Sequence, residues 1–425
     1  AASDVYKRQN PGRRQPDEAF RKIDKVGPFN YKGLVTPWEE PLDVYYMYRA
    51  NYVPAAKDPM VYLVSHTWAD RFEKGRRRAT IEAYSNCDSV LLYNDMINDK
   101  VTYLGRKKNN GTGTHFMWEN RDIRYNVLRA VGYHKGKPVA EDIIVLNGLE
   151  QAPHFDVLYQ NAKPVLKGED GYNYLYRINC GGDDYTDSFG QLWMQDNTHY
   201  SRSWAANFEE LNPYLASQRT TNDPIRGSRD WKLFQHFRFG RHQLEYNFPV
   251  ADGTYRIELY FTEPWHGTGG SASTDCEGLR IFDVAVNDSV VLDDLDIWAE
   301  SGHDGVCKKV VYATVKGGIL KIHFPEVKAG QGLISGIAIA SVEANLQPTL
   351  FPASNWNWEK AGKEVMEKTP KELLPEDKNA RISVAYEAEA ATLKGKFRKK
   401  EHRKQTGVFF EEGKGNSIEW NVSTG

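Results

Sequence analysis

Residues 261–270, FTEPWHGTGG, place Trp265 and His266 between an apolar run and a glycine-rich loop. An indole presents a flat apolar face and an imidazole a donor or acceptor edge. A pyranose, with one face of C–H groups and a rim of hydroxyls, matches both. Trp265 therefore reads first as a sugar platform, and second as a staple packed beneath its own loop. For Trp193 in GQLWMQD and Trp204 in SRSWAAN the order reverses, because Leu and Met neighbours favour core. Tyr185, just after the GGDD turn, could add a polar edge to a sugar site.

Two acidic stretches invite other chemistry. Glycoside hydrolysis needs two carboxyls about 5–10 Å apart on a rigid floor, one with a raised pKa. Glu39 and Glu40 are the tempting pair, but adjacent residues in a Pro-flanked polar turn point apart, so they are expected as solvated turn acids. DDLDI (293–297) is acidic enough for a cation, yet its alternation of Asp with Leu more simply gives a strand end with one solvated face. There is no P-loop, no G-x-G-x-x-G after a strand, no H-E-x-x-H and no G-x-S-x-G. Cys87, Cys180, Cys276 and Cys307 show no C-x-x-C spacing, which argues against structural zinc; Cys276 and Cys307 either pair in an oxidising compartment or stay as thiols.

The elements that must position these residues are short and β-rich. At 425 residues the chain should divide into several domains, and 40% apolar with 26% charged residues is a globular balance. A net charge of −2 gives no electrostatic footprint for nucleic acid, and no apolar run is long enough for a membrane helix. Residues 31–52 carry Pro41 and a tyrosine-rich segment with partial helical spacing. From MVYLVSHTW onward, short runs rich in β-branched residues alternate with Gly, Asn and Asp. A second all-β pattern runs to about 344, interrupted between 183 and 240 by a long aromatic segment too large to be an idle loop.

Three stretches resemble known families. GLVTPWEEPLDVYYMYRANY, HTW, AYSNCDSVLLYND and VLRAVGYHKGKPVAED resemble the last barrel helix and following β-sandwich of family 2 glycoside hydrolases, the β-galactosidase-like enzymes. The resemblance implies catalytic glutamates on barrel strands that would precede residue 1, so that no catalytic residue is expected here. YRINCGG, LFQHFRFG, YRIELYFTEPWHG, RIFDVAVND and GIAIASVE resemble malectin, a β-sandwich that binds short glucose oligosaccharides through aromatic residues on loops at one end. That implies carbohydrate contact by Trp265, His266 and Phe239. The chain departs from malectin in having Trp-His for Tyr-Phe, and in meeting an acidic ligand residue with KAGQG (328–332), so the sugar is not inherited. ISVAYEAEAATLKG resembles the opening of family 6 or family 35 carbohydrate-binding modules, which implies a structural Ca²⁺ on Glu387 and Glu389.

The expected fold is mainly β, with tandem sandwiches. Residues 1–9 read as a non-native leader and 10–55 as a barrel remnant. An immunoglobulin-like sandwich follows at 56–150, a linker at 151–171 and a malectin-like domain at 172–344. A second linker spans 345–380 and a partial module 381–425. The expected function is the carbohydrate-binding accessory region of a secreted bacterial glycoside hydrolase, periplasmic or extracellular, partnered by oligosaccharide or polysaccharide and itself inactive. The alternative is a non-catalytic surface lectin or adhesin.

Overall fold

A computed structural model describes residues 34–35, 40–72, 78–196, 205–206, 217–240, 244–267, 275–347, 392–394, 397–402, 405–410 and 417–419. The chain divides into one unit of residues 1–19 with 32–373 and another of residues 20–31 with 374–425. It is mainly β, as the sequence pattern requires.

Helix α1 (Asp43–Tyr52) begins two residues after Pro41 and buries Val44, Tyr46 and Ala50, while Tyr48 and Tyr52 stay in water. Beside it, strand β1 (Val61–Val64) pairs antiparallel with β2 (Arg78–Ser85). Alternate side chains of a strand point to opposite faces. Val61 and Leu63 accordingly enter the sandwich core, while Tyr62 faces α1 and stacks on Tyr46 at 4.2 Å.

The remaining strands of this layer are β3 (Ser89–Tyr93), β4 (Tyr103–Lys108), β5 (Phe116–Asp122), β6 (Val127–His134) and β7 (Lys137–Val145). They form two antiparallel sheets, ordered β1-β2-β5 and β4-β3-β6-β7. Ile81, Val90, Leu92, Trp118, Leu128 and Ile144 are fully buried between them. The packing leaves no slack at Gly132 on β6, where an added Cβ would lie 2.6 Å from Cys87 Sγ.

The second layer is larger. Strands β8 (Asn173–Asn179), β9 (Tyr185–Thr186), β10 (Leu192–Gln195), β11 (Ala205–Ala206) and β12 (Ser217–Thr220) lead to a one-turn helix, α2 (Trp231–Gln235). Then come β13 (His236–Gly240), β14 (Glu245–Pro249), β15 (Gly253–Phe261), β16 (Ile281–Val286), β17 (Ser289–Leu295) and the short helix α3 (Ile297–Ser301). Strands β18 (Cys307–Val315), β19 (Ile319–His323), β20 (Val327–Ala329), β21 (Gly332–Ile334) and β22 (Gly336–Ser341) close the domain. One sheet runs β18-β15-β22-β8-β10-β9, the facing sheet runs β11-β14-β19-β16-β17, and β12-β13-β21 make a third.

Strand β15, GTYRIELYF, shows how the sequence sets this layer. Tyr255, Ile257, Leu259 and Phe261 point into the core between the sheets. Tyr260 points the other way, yet it is also fully buried, against Trp193, Phe234 and Ala338. Its cover comes from the connector, where Ala152, Phe155 and Leu166 are buried, and from Val127 of the first sandwich. Residues 151–171 therefore pack as part of a shared core. The sequence showed them only as a linker because the apolar partners lie on other strands.

The four cysteines are all buried and unpaired, so Cys276 and Cys307 are thiols. Among the described residues no helix is long and apolar enough to cross a membrane. In the second unit, β23 (Thr392–Lys394) pairs with β26 (Ser417–Glu419), and β24 (Phe397–His402) pairs with β25 (Gln405–Phe410). Glu387, Glu389 and Trp204 lie outside the described residues.

Gly132→Val should destabilise the first sandwich by about 1–3 kcal/mol, the cost of forcing extra volume into a closed core. A denaturant titration reads this; an unchanged midpoint would show that Cys87 yields freely.

Candidate functional site at the end of the second sandwich

The turn after β15 is built on a buried carboxylate. Glu263 Oε1 accepts the backbone N–H of Trp265 at 3.0 Å and of His266 at 3.1 Å, fixing both residues at the mouth of the strand. Its other oxygen takes Arg280 Nε at 2.5 Å. Arg280, immediately before β16, is wholly buried, and a buried guanidinium must have its donors matched. Nη1 donates to the Gln331 carbonyl at 2.6 Å, and Nη1 and Nη2 both reach Glu40 Oε1, at 3.2 and 3.3 Å. Gln331 Nε2 donates to both Glu40 oxygens, at 3.1 and 2.9 Å. Gln331 comes from the KAGQG loop, and Glu40, from the lead-in to α1, brings a carboxylate to it.

Trp265 lies against this cluster. The Arg280 guanidinium carbon is 5.0 Å from its ring centroid and that of Arg219 5.4 Å, distances suited to cation–π attraction. Phe237 and Phe239 meet the ring edge-on, at 5.2 and 5.4 Å. Tyr46 of α1 donates its hydroxyl to the Trp265 carbonyl at 3.2 Å.

The result corrects the expected exposure. Trp265 is 7% and His266 3% exposed, so neither ring offers an open face to water. The cover is supplied by two arginines, two phenylalanines and the α1 segment. Glu40 is corrected likewise: it is 1% exposed, not a solvated turn acid, and Glu39 lies outside the described residues. Glu40 and Glu263 flank Arg280 in a closed interior, an ion-pair geometry with no room for a glycoside.

Burial and charge set the protonation of this cluster. Burial raises the Glu40 pKa, and Arg280 only partly offsets it. Burial also pushes Glu263 upward, but Arg280 and His266 outweigh it and hold that carboxyl below its usual value. His266 is lowered, chiefly by burial, which favours the neutral imidazole.

Phe239 on β13 is only partly buried and is the ring of the group that reaches the surface. Tyr185 is placed elsewhere: it packs against the cluster around Trp193 and Tyr260, and its hydroxyl donates to Asp230 at 2.7 Å. Trp193 is core, as expected, fully buried with Nε1 donating to Asp187 at 2.9 Å. DDLDI gives a strand end with Asp293 and Asp294 exposed and Leu295 buried, and Lys328 pairs with Asp294. A groove of about 540 Å³ runs along β17 and α3, lined by residues that include Asp293, Asp296, Glu300 and Lys309. None of the four expected sugar-contacting residues lines it.

Residues 174–343 match the malectin domain. Residues 77–140 match a domain of unknown function, DUF4982. Malectin of Danio rerio is 25% identical over 150 residues, covering 35% of this chain and 47% of that protein. A Formosa agariphila protein named "Putative beta-glucuronidase" is 31% identical over 133 residues, 30% of this chain and 15% of that protein. The chain thus spans about half the length of the malectins it matches and a small part of the enzyme. A crystal structure of Bacteroides uniformis beta-glucuronidase aligns with a TM-score of 0.32 at 24% identity, over 73% of this chain and 33% of that one.

Arg280→Ala should cost about 3–5 kcal/mol, since it strands two buried carboxyls. Glu40→Gln should cost less, because an amide oxygen at this position can still accept from Arg280. Trp265→Ala should cost about 3–5 kcal/mol by emptying a core position. Thermal unfolding of the three variants checks the order; a Trp265→Ala chain that melts with the parent would mean the ring is not structural.

Proposed function

We propose that this chain is the carbohydrate-binding accessory region of a secreted glycoside hydrolase of the β-galactosidase-like family 2. Bond cleavage in this reading belongs to carboxylates elsewhere in the parent protein, and the region acts outside the cytoplasm. The observation that carries the proposal is the malectin match over 174–343, supported by the identity shared with an enzyme named as a beta-glucuronidase. Its mechanism is targeting: holding an enzyme on a polysaccharide raises the local substrate concentration.

The sugar-contacting end is proposed to be the one where Trp265, His266 and Phe239 meet. Phe239 supplies the stacking face, with Trp265 and His266 behind it as a rigid floor. An aromatic ring whose neighbours cannot move binds a sugar with less ordering cost than one on a free loop. Tyr185, with its hydroxyl committed to Asp230, falls outside this site. A calcium ion on Glu387 and Glu389 is proposed for the C-terminal module.

A glycan array probed with the whole 425-residue chain tests the proposal. Oligosaccharide binding is expected, with no turnover of nitrophenyl glycosides by the same preparation. Phe239→Ala should weaken that binding about two- to tenfold, the worth of one stacking contact, while melting close to the parent. No glycan retained, or equal retention by the variant, counts against it.

A further inference from the structure

Away from the rings, a second group of polar side chains gathers where the two sandwiches meet. Asp223 precedes α2, and His303 and Asp304 follow α3. Their ligand atoms all lie within 4.8 Å of one another. Asp223 and Asp304 are 3% and 5% exposed. The loop carrying the last two is pinned rather than free. Asp304 N–H donates to the Glu263 carbonyl at 2.9 Å, and Arg226 N–H donates to the Asp304 carbonyl at 2.8 Å. The Arg226 side chain also donates to the His303 carbonyl, at 3.1 and 2.6 Å.

The group is not satisfied by its own hydrogen bonds. His303 Nε2 meets Asp304 Oδ2 at 2.9 Å, but Asp304 Oδ1 is buried with no partner. Two further buried side-chain atoms without partners belong to neighbouring segments, His266 Nε2 and Trp298 Nε1. Gly267 locates the second of these: a Cβ built there would lie 3.0 Å from both the His303 Cβ and Trp298 Nε1. His266 is close enough to His303 for their charges to interact. Buried polar atoms in folded proteins almost always have partners, so the orphaned Asp304 Oδ1, a carboxylate oxygen, points to a missing one; the indole N–H of Trp298 only donates and is not met by a cation.

The surroundings carry an acidic excess. Asp223 Oδ1 meets His66 Nδ1 at 2.5 Å, and His66 Nε2 meets Asp142 Oδ2 of β7 at 2.8 Å. Asp142, Asp223 and Asp304 thus lie with His66 and His303 in one chain of buried polar contacts, in which Asp304 Oδ1 is left open for a cation. Two carboxylates and one imidazole are a donor set for zinc, which takes four ligands or three and a water. Calcium would need six to eight oxygens, more than these residues hold.

From this geometry we infer that Asp223, His303 and Asp304 bind a zinc ion, with a water in the fourth position. The ion clamps the second sandwich to the first through the Asp223–His66–Asp142 chain. The three ligands are not among the residues proposed to contact sugar, and their binding of zinc does not depend on that proposal.

The test uses the whole chain, stripped with a chelator and titrated with zinc chloride by calorimetry, with elemental analysis of the reloaded protein. One equivalent per chain is expected, with a melting temperature that rises on zinc addition. His303→Ala and Asp304→Asn should each lower the affinity at least tenfold, while His115→Ala, at an exposed histidine, leaves it unchanged. Should Asp304→Asn fail to fold, His303→Ala and the visible spectrum of the cobalt(II)-loaded parent still decide. No uptake, uptake unaltered in His303→Ala, or loss only in His115→Ala overturns the inference.

Discussion

A guanidinium with no access to water cannot stand alone, and Arg280 is such a group. Its own sandwich supplies Glu263 and the Gln331 carbonyl, and Glu40, from the segment that leads into α1, adds a second carboxylate that meets both terminal nitrogens. Desolvating the charge is tolerable only while all these partners are present. The lead-in segment is thereby fixed on the second sandwich, and the position of Trp265, which rests on the same guanidinium, follows from it.

The aromatic contacts extend this constraint into the first sandwich. Tyr46 holds the Trp265 carbonyl with its hydroxyl and stacks its ring on Tyr62, which stacks in turn on His66 at 4.7 Å. His66 closes the path by meeting Asp223, back on the second sandwich. Burial would lower the His66 pKa, but Asp142 and Asp223 outweigh it and raise it well above the usual value. Together with the apolar cluster of Val127, Phe155, Trp231 and Tyr260, these contacts make the two sandwiches one packed body.

The strands were legible because their signal is local. Alternation in GTYRIELYF and the β-branched runs bounded by Gly and Asp follow from period-two geometry alone. What covers a residue is not local. Trp265 beside a glycine-rich loop reads the same whether capped or open, and part of its cap, Tyr46, lies 219 positions away. Glu40 between prolines reads as a solvated acid because its partner Arg280 is 240 residues downstream. Two signals were nonetheless present in the sequence. Glu263 sits inside the apolar run YFTEPW, and Arg280 directly precedes the apolar strand at 281–286, so each is a charge in a place that demands a counter-charge.

The four thiols follow from the same closed packing. Burial raises the Cys87 and Cys180 pKa values and pushes Cys276 and Cys307 to about 11, so each is held as the unreactive thiol. None bonds to another sulfur. The scaffold is therefore indifferent to redox potential: it needs no oxidase to mature, and a reductant has no cross-link to cut.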